Sequence, residues 1–372
     1  MIRVLQDAGE MEIGGAETFV MNVYRVLAKQ GVQFDFVMHR GDGAFVAEIA
    51  SLGGMVRLVP HRRAGFIANL VGLFRVLREG NYAAIQVHTN SASVFPTLLV
   101  ARVCGVKVRI AHSHSTSTSH PVVHKLCRPL LRLFATEYCA CSKKAGEWLF
   151  GEKVVEAGQV QLIDNGVDLD LFAYSSEVRA DVQRELSMAF SPVLGHVGNF
   201  RTPKNHGFLL EILLNLLRAE PAAGLVLVGD GPLRPMIQDR VKALNLTDRV
   251  VITGRRDDPG RLMQAFDVFV LPSLFEGSPV ALVEAQASGL PCVVSDRIDS
   301  DVCASPLVQR LPLEGGPAVW ARAISTQWQR RADRDAAPPA TYMGRFDIQN
   351  VAIAMAAIYQ GGGIHRQKGP PA

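Results

Sequence analysis

Two doubly wound parallel α/β sheets, one following the other along the chain, are what this sequence predicts. Short apolar runs alternate with longer amphipathic stretches, the pattern of parallel strands joined by crossover helices. The pattern restarts at Val193-Leu194-Gly195-His196-Val197-Gly198. A length of 372 residues also exceeds what one hydrophobic core ordinarily serves, so two domains fit.

In the first half, strands are expected at Arg3–Gln6, Gln33–Met38, Met55–Val59, Ala84–Val87, Val108–His112 and Tyr138–Cys141. Helices are expected at Ala16–Lys29, Ile67–Glu79, Val94–Val103, Val122–Phe134 and Lys143–Leu149. After the restart, strands follow at Leu225–Val228, Val250–Ile252, Val268–Leu271 and Pro291–Val294, with helices at Gly207–Arg218, Leu233–Leu244, Gly260–Ala265 and Pro279–Ser288. The first domain is read over 1–175 and the second over 190–345, with a join near Phe172–Ser191. Arg330–Pro339 reads as a charged, Pro/Ala-rich loop, 346–360 as a closing helix packing back toward the first domain, and 361–372 as a disordered tail. Ligands of such sheets bind beyond the carboxyl ends of the strands, and with two sheets the cleft between them is the expected site.

Composition narrows the class. With 48% hydrophobic and 20% charged residues the chain folds as a soluble globular protein. A net charge of +4 argues against a general nucleic-acid binder. The charge is uneven, because Leu99–Phe150 carries eight Lys and Arg against two Glu. The N-terminus reads as a first strand without the apolar region of a signal peptide, and no run reaches the ~18 apolar residues of a membrane span. Six scattered cysteines suit reduced thiols in the cytoplasm, and Cys139-Ala140-Cys141 is too tightly spaced for a zinc site.

The most informative segment is Phe275-Glu276-Gly277-Ser278-Pro279-Val280-Ala281-Leu282-Val283-Glu284. Pro279 at the first helical position with Ser278 before it predicts a helix start, and Val280, Val283 and Ala287 form an apolar stripe. Free amides of such a first turn favour phosphate. Glu276 precedes that anion site and Glu284 lies about 7.5 Å further along the axis. Two carboxylates flanking a phosphate suit a ligand with hydroxyls on both sides of a diphosphate, the layout of a nucleotide sugar. Acidic residues also decorate helix starts for the dipole alone, so the segment by itself leaves both readings open.

Gly14-Gly15-Ala16-Glu17 opens the first helix, where backbone can approach a ligand closely, although an ordinary strand-to-helix turn fits as well. Val197-Gly198-Asn199-Phe200-Arg201-Thr202-Pro203-Lys204 places two cations at a strand end, either to neutralise a diphosphate or as a solvated loop. Gly229-Asp230-Gly231-Pro232 lacks the third glycine of a dinucleotide site. His112, His114 and His120 lie close in sequence, but no carboxylate or cysteine completes a metal set; a hydrogen-bonding histidine is the preferred reading. Asp168-Leu169-Asp170 and Asp299-Ser300-Asp301 read as turns before they read as metal sites.

Together these segments carry a resemblance. With Gln33-Phe34-Asp35-Phe36-Val37, Arg109-Ile110-Ala111-His112-Ser113-His114, Ala140-Cys141-Ser142, Ile163-Asp164-Asn165-Gly166-Val167-Asp168, Lys204-Asn205-His206 and Gly289-Leu290-Pro291, the chain resembles the retaining family 4 glycosyltransferases of GT-B fold, and within them the exopolysaccharide-biosynthesis branch. The resemblance runs from Leu5 to about Asp299 and resumes at Phe346–Tyr359. It implies that Glu284 binds the ribose hydroxyls, Glu276 the hydroxyls of the donor sugar, and Lys204 the diphosphate. Amides near Gly14, Gly15, Gly277 and Ser278 assist, His114 sits by donor sugar and acceptor, and backbone near Gly254 and Arg255 contacts the base.

The resemblance further implies a nucleotide-sugar donor, a glycan or lipid-linked acceptor, no metal or other cofactor, and a cytoplasmic location. Peripheral contact with the inner membrane is expected through His124–Phe134, where basic and apolar residues mix, although Pro129 weakens the amphipathic pattern. Two departures stand out. Asn199 occupies the family's usual arginine position, with Arg201 two residues on as the substitute charge, and 300–345 fits the family poorly. The first departure keeps one alternative alongside, a family member that binds sugar nucleotide or glycan without turnover; the paired carboxylates keep another, a glycoside hydrolase using Glu276 and Glu284 at ~5–9 Å.

Overall fold

Every pairing between named strands is parallel. The computed structural model describes residues 2–329 and 340–362. The loop expected at Arg330–Pro339 and the tail from 363 onward lie outside the described residues.

The chain forms two compact units, Met1–Gly166 joined by the chain from Ile348, and Val167–Asp347. The first contains β1 (Ile2–Asp7), α1 (Gly15–Leu27), β2 (Val32–Met38), α2 (Val46–Ser51), β3 (Met55–Leu58), α3 (Phe66–Gly80), β4 (Ala84–Thr89), α4 (Phe95–Val103), β5 (Val108–Ser113), α5 (Pro121–Phe134), β6 (Glu137–Ala140), α6 (Lys143–Phe150), α7 (Glu152–Glu156) and β7 (Gln161–Leu162). The second contains α8 (Ser176–Glu185), β8 (Val193–Val197), α9 (His206–Leu216), β9 (Gly224–Val228), α10 (Arg234–Ala243), β10 (Val250–Gly254), α11 (Pro259–Gln264), β11 (Val268–Leu271), α12 (Val280–Ala287), β12 (Cys292–Ser295), β13 (Val308–Leu311), α13 (Gly316–Gln329) and α14 (Ala340–Met343). A final helix, α15 (Ile348–Tyr359), packs against α1 in the first unit.

Strand order is β3-β2-β1-β4-β5-β6-β7 in the first sheet and β10-β9-β8-β11-β12-β13 in the second. Both are doubly wound. The order reverses between β1 and β4 and again between β8 and β11, where ligands of such sheets bind. Each sheet is buried on both faces. On β1, Val4 faces a cluster with Phe34, Phe36 and α15, while its neighbour Leu5 faces another with Ile85 and Leu98.

Several of the motifs that carry the resemblance hold the fold itself. Asp35 is fully buried but satisfied by Arg3 at 2.7 Å, the Tyr82 hydroxyl at 2.7 Å and Arg57 at 3.4 Å. Ser142 caps α6 by accepting from the Ala145 amide at 3.2 Å. Gly166 has room for no side chain, since a Cβ there would meet Ile348 and Val351 at about 3.0 Å.

The structure adds elements the periodicity did not reveal. β7 is two residues long and β13 is only partly buried, so neither shows an apolar run. α8 lies inside the stretch read as the join; it buries only Val182 and carries mostly charge on its surface. α12 begins one residue late, because Pro279 has extended torsions and is the N-cap rather than the first helical residue. The expected stripe on that helix is also replaced: Leu282 through Ala287 are all buried, and Val280 only partly. Pro129 does not break α5, which runs through it.

Candidate functional site

The second unit gathers its candidates beyond β8 and β11, the two strands flanking the reversal in strand order. After β8 the chain passes Gly198, Asn199 and Arg201 into a 3₁₀ turn at Thr202–Lys204. After β11 it runs through Ser273 and Glu276 to Gly277, Ser278 and α12. Two hydrogen bonds pin these loops together: the Leu274 amide donates to Pro203 O at 2.8 Å, and the Asn205 side chain to Pro272 O at 3.2 Å.

Lys204 Nζ consequently lies 2.6 Å from Glu276 Oε1, and Ser273 Oγ donates to the same oxygen at 3.0 Å. The lysine and glutamate side chains are 17% and 16% exposed, so the pair is shielded yet reachable. Gly198 makes room for it, since a Cβ there would stand 2.9 Å from Lys204 Cε. The Gly229-Asp230-Gly231 turn braces the same loop. Phe200 N donates to Asp230 O at 2.9 Å, and a Cβ on Gly229 (φ +139°) would strike Gly198 O at 2.1 Å.

Glu284, on the second turn of α12, is 7% exposed. Burial alone pushes its carboxyl up to about 7. Asn199 and Arg201 are exposed, and Arg201 has no carboxylate partner among the described residues. Gly254 (φ +76°) closes β10 and accepts from the Gly229 amide at 2.9 Å; Arg255 follows it on the surface. Lys204, Glu276, Gly198 and the loop bearing Arg201 are thus brought together, and the turn at Gly254 joins them through Gly229.

In the first unit, α1 starts at Gly15 with Gly14 as its extended N-cap. The Glu17 carboxylate folds back over this start, so that a Cβ on Gly14 would lie 2.5 Å from Glu17 Oε2. A side-chain anion sits where the free amides of the first turn favour one. Spacing along the chain alone does not place Glu17 here.

His114 leaves the end of β5 and meets a neighbour that local spacing did not indicate, His88 at the end of β4. His88 Nδ1 and His114 Nε2 are 2.8 Å apart, and His88 Nε2 lies 3.0 Å from Gln6 Oε1 on β1. His112 Nδ1 accepts from Gln86 Nε2 at 2.8 Å. Tyr359 on α15 joins the two glutamines, accepting from Gln6 Nε2 at 3.1 Å and donating to Gln86 Oε1 at 2.5 Å. Phe19 of α1 covers the histidines, with ring centroids 5.0 Å from His112 and 5.4 Å from His114. Desolvation pushes His114 down to about 3, although the residue keeps some solvent exposure, and holds His88 and His112 well below the ordinary histidine value. All three are neutral at physiological pH. His120 stands apart as the N-cap of α5.

One ring nitrogen from each of His88, His112 and His114 lies within 4.8 Å of the others, so this is where a metal would find ligands. The hydrogen bonding opposes it. Bare nitrogens on His88 Nδ1 and His112 Nε2 together require both glutamine carbonyls to face histidine N–H groups. Both amide nitrogens would then point at Tyr359 and strand its buried hydroxyl proton, at about 1–3 kcal/mol. The two D-x-D triplets are turns: Asp168 Oδ1 accepts from the Asp170 amide at 3.1 Å, and Asp299 Oδ1 from the Asp301 amide at 3.3 Å.

Two doubly wound parallel sheets, with cation, carboxylates and glycine turns at the strand ends of the second, define the α/β GT-B glycosyltransferases as a class. The family described as Glycosyltransferase Family 4 matches residues 13–171, and Glycosyl transferases group 1 matches residues 191–326. The putative glycosyltransferase EpsF of Bacillus subtilis is 41% identical over 336 residues, covering 87% of each chain. The chain belongs to the family 4 glycosyltransferases. An Escherichia coli protein named UDP-Gal:alpha-D-GlcNAc-diphosphoundecaprenol alpha-1,3-galactosyltransferase is 30% identical over 239 residues, covering 61% of each chain. The crystal structure of Anabaena HepE in complex with UDP-glucose superposes with a TM-score of 0.80 at 20% identity, covering 97% of this chain and all of that one, a likeness of fold.

Proposed function

We propose that the protein is a retaining hexosyltransferase that moves a sugar from a nucleotide-sugar donor to a glycan or lipid-linked acceptor in exopolysaccharide synthesis. The observation that carries this reading is the Lys204–Glu276 pair at 2.6 Å, on the loops that follow the two strands flanking the reversal of the second sheet. The cation of the pair is the diphosphate ligand, and the carboxylate takes the hydroxyls of the transferred sugar. Glu284 accepts from the ribose hydroxyls. Arg201 adds the charge absent at Asn199, the amides of Gly277 and Ser278 assist the phosphate, and the backbone at Gly254 and Arg255 meets the base. In the first unit, the α1 start at Gly14 and Gly15 supplies further amides and His114 meets the sugar and acceptor.

In such a transfer the acceptor hydroxyl arrives on the face the diphosphate leaves. A phosphate oxygen takes its proton, while the protein supplies position and charge. Lys204 stabilises the negative charge that grows on the departing diphosphate, so no divalent ion is required for that role. A raised Glu284 and an ion-paired Glu276 would also suit a hydrolase acid and base. Family membership and the lysine placed on Glu276 favour transfer. The names of the EpsF and undecaprenol-linked relatives support a polysaccharide pathway and a lipid-linked acceptor.

The acceptor reading extends to the membrane. Along α5, Val122, Leu126, Leu130 and Leu133 form an exposed apolar row beside exposed Lys125 and Arg132. α3, which packs on the same face of the sheet, exposes Phe66, Ile67, Val71 and Phe74. An apolar face edged with cations fits the headgroup region of an anionic bilayer. We assign this face to peripheral contact on the cytoplasmic side of the inner membrane; no described helix is long and apolar enough to cross it.

A thermal-shift panel of UDP-, GDP- and ADP-sugars, with and without a chelator, followed by assay of donor consumption with and without acceptor, tests the reading. One base class should raise Tm equally in both conditions, with consumption dependent on acceptor. Binding without consumption would indicate a non-catalytic member, and loss of the shift with chelator would overturn metal independence.

A further inference from the structure

The hydrogen bonds around His114 run in one direction. Gln6 Oε1 can only accept, so the proton of His88 lies on Nε2, 3.0 Å away. His88 Nδ1 is therefore bare and, at 2.8 Å, must accept from a proton on His114 Nε2. His114 Nδ1 is left as a bare acceptor, neither bonded within the unit nor sealed from solvent. The direction is coupled two steps away through Tyr359: with its single hydroxyl proton on Gln86 Oε1, Gln6 meets it with its amide nitrogen and turns its carbonyl to His88. The remaining loose end is His112 Nε2, buried without a partner.

We propose that Tyr359, Gln6 and His88 are positioning residues that lock His114 in its Nε2–H form, presenting Nδ1 as a neutral acceptor toward a sugar hydroxyl. A histidine so held can receive a hydroxyl proton in a hydrogen bond but cannot donate from Nδ1 to a phosphate oxygen. The C-terminal helix thereby controls the polarity of a residue at the far end of β5. This rests on the reading that His114 meets the sugar or acceptor.

Long-range ¹⁵N–¹H spectra of the full chain with ¹⁵N-labelled histidine read the tautomer directly. His114 should show a pyridine-like Nδ1 and a pyrrole-like Nε2, unchanged between pH 8 and 5. A pyrrole-like Nδ1 would mean both amides are reversed and overturns the proposal. Tyr359→Phe should give a mixture of the two forms and lower kcat roughly 5- to 10-fold, the scale of one hydrogen bond, with the KM for donor little changed. Gln6→Met should do the same, and the double variant should be no worse than the more affected single one, because both interrupt one chain. An unaltered tautomer in Tyr359→Phe, or additive losses, would refute control by this helix. Absence of transfer in the unaltered protein counts against glycosyl transfer alone, since the spectrum still decides the tautomer.

Discussion

Lys204 and Glu276 neutralise each other across 2.6 Å, although they come from loops that follow different strands of the second sheet. A diphosphate ligand must take the lysine from the glutamate, which releases the glutamate for hydroxyls. Lys204→Ala should lower transfer roughly 10²-fold or more, the scale of a lost transition-state donor. Glu276→Gln should separate two quantities: affinity for nucleoside diphosphate is kept or improved, while transfer falls. Calorimetry beside initial-rate kinetics checks both, and near-normal turnover in Lys204→Ala would remove the lysine from the mechanism.

Glu284 is destabilising when ionised. Its carboxyl is raised to about 7, against an ordinary value near 4.5, so the folded protein binds the extra proton between those pH values and loses that stabilisation as pH rises through 7. Glu284→Gln should stabilise the ligand-free protein at pH 8 by about 1–3 kcal/mol while weakening nucleoside diphosphate binding. A variant that is less stable at pH 8 would contradict the buried-acid description.

The histidines act in the opposite sense. His114 falls to about 3 and His206 to about 4, and burial holds His88, His112 and His196 well below the ordinary histidine value. Below about pH 6.5 the unfolded chain takes protons that the folded chain refuses, so stability declines as pH falls, by up to about 1.4 kcal/mol per pH unit for each. Denaturation midpoints should drop steeply from pH 7 to pH 5, and a flat profile would show that these rings accept protons in place.

Membrane contact has a direct measurement. The protein should co-sediment with vesicles containing anionic lipid at low salt and not with neutral vesicles. Replacing Leu126 and Leu130 by Gln should abolish binding without altering nucleotide affinity, because both side chains face outward from α5.

Most strands were readable in advance because parallel strands buried on both faces are apolar runs, as in Val268–Leu271. β7 and β13 escaped because shortness and exposure erase that signal. The second unit's candidate residues were visible because Lys204 and Glu276 lie on short loops after strands and Glu284 on the helix that the second loop starts. The histidine network was not, since Gln6, His88 and Tyr359 are brought together by strand order and a returning helix, 353 positions apart at the extremes. Glu17 was missed for a different reason: sequence identifies a helix start but not which carboxylate swings back to cover it.

The return of α15 to the first unit also bears on how the protein is made. Helices and strands before Gly166 emerge first, yet one face of their sheet needs Val351, Met355 and Ile358 to be covered. Those residues are translated only after the entire second unit. The amino-terminal unit therefore waits, incomplete and with apolar surface open, while the later one can already close. Assembly order is inverted relative to synthesis order, and Tyr359 is among the last pieces placed.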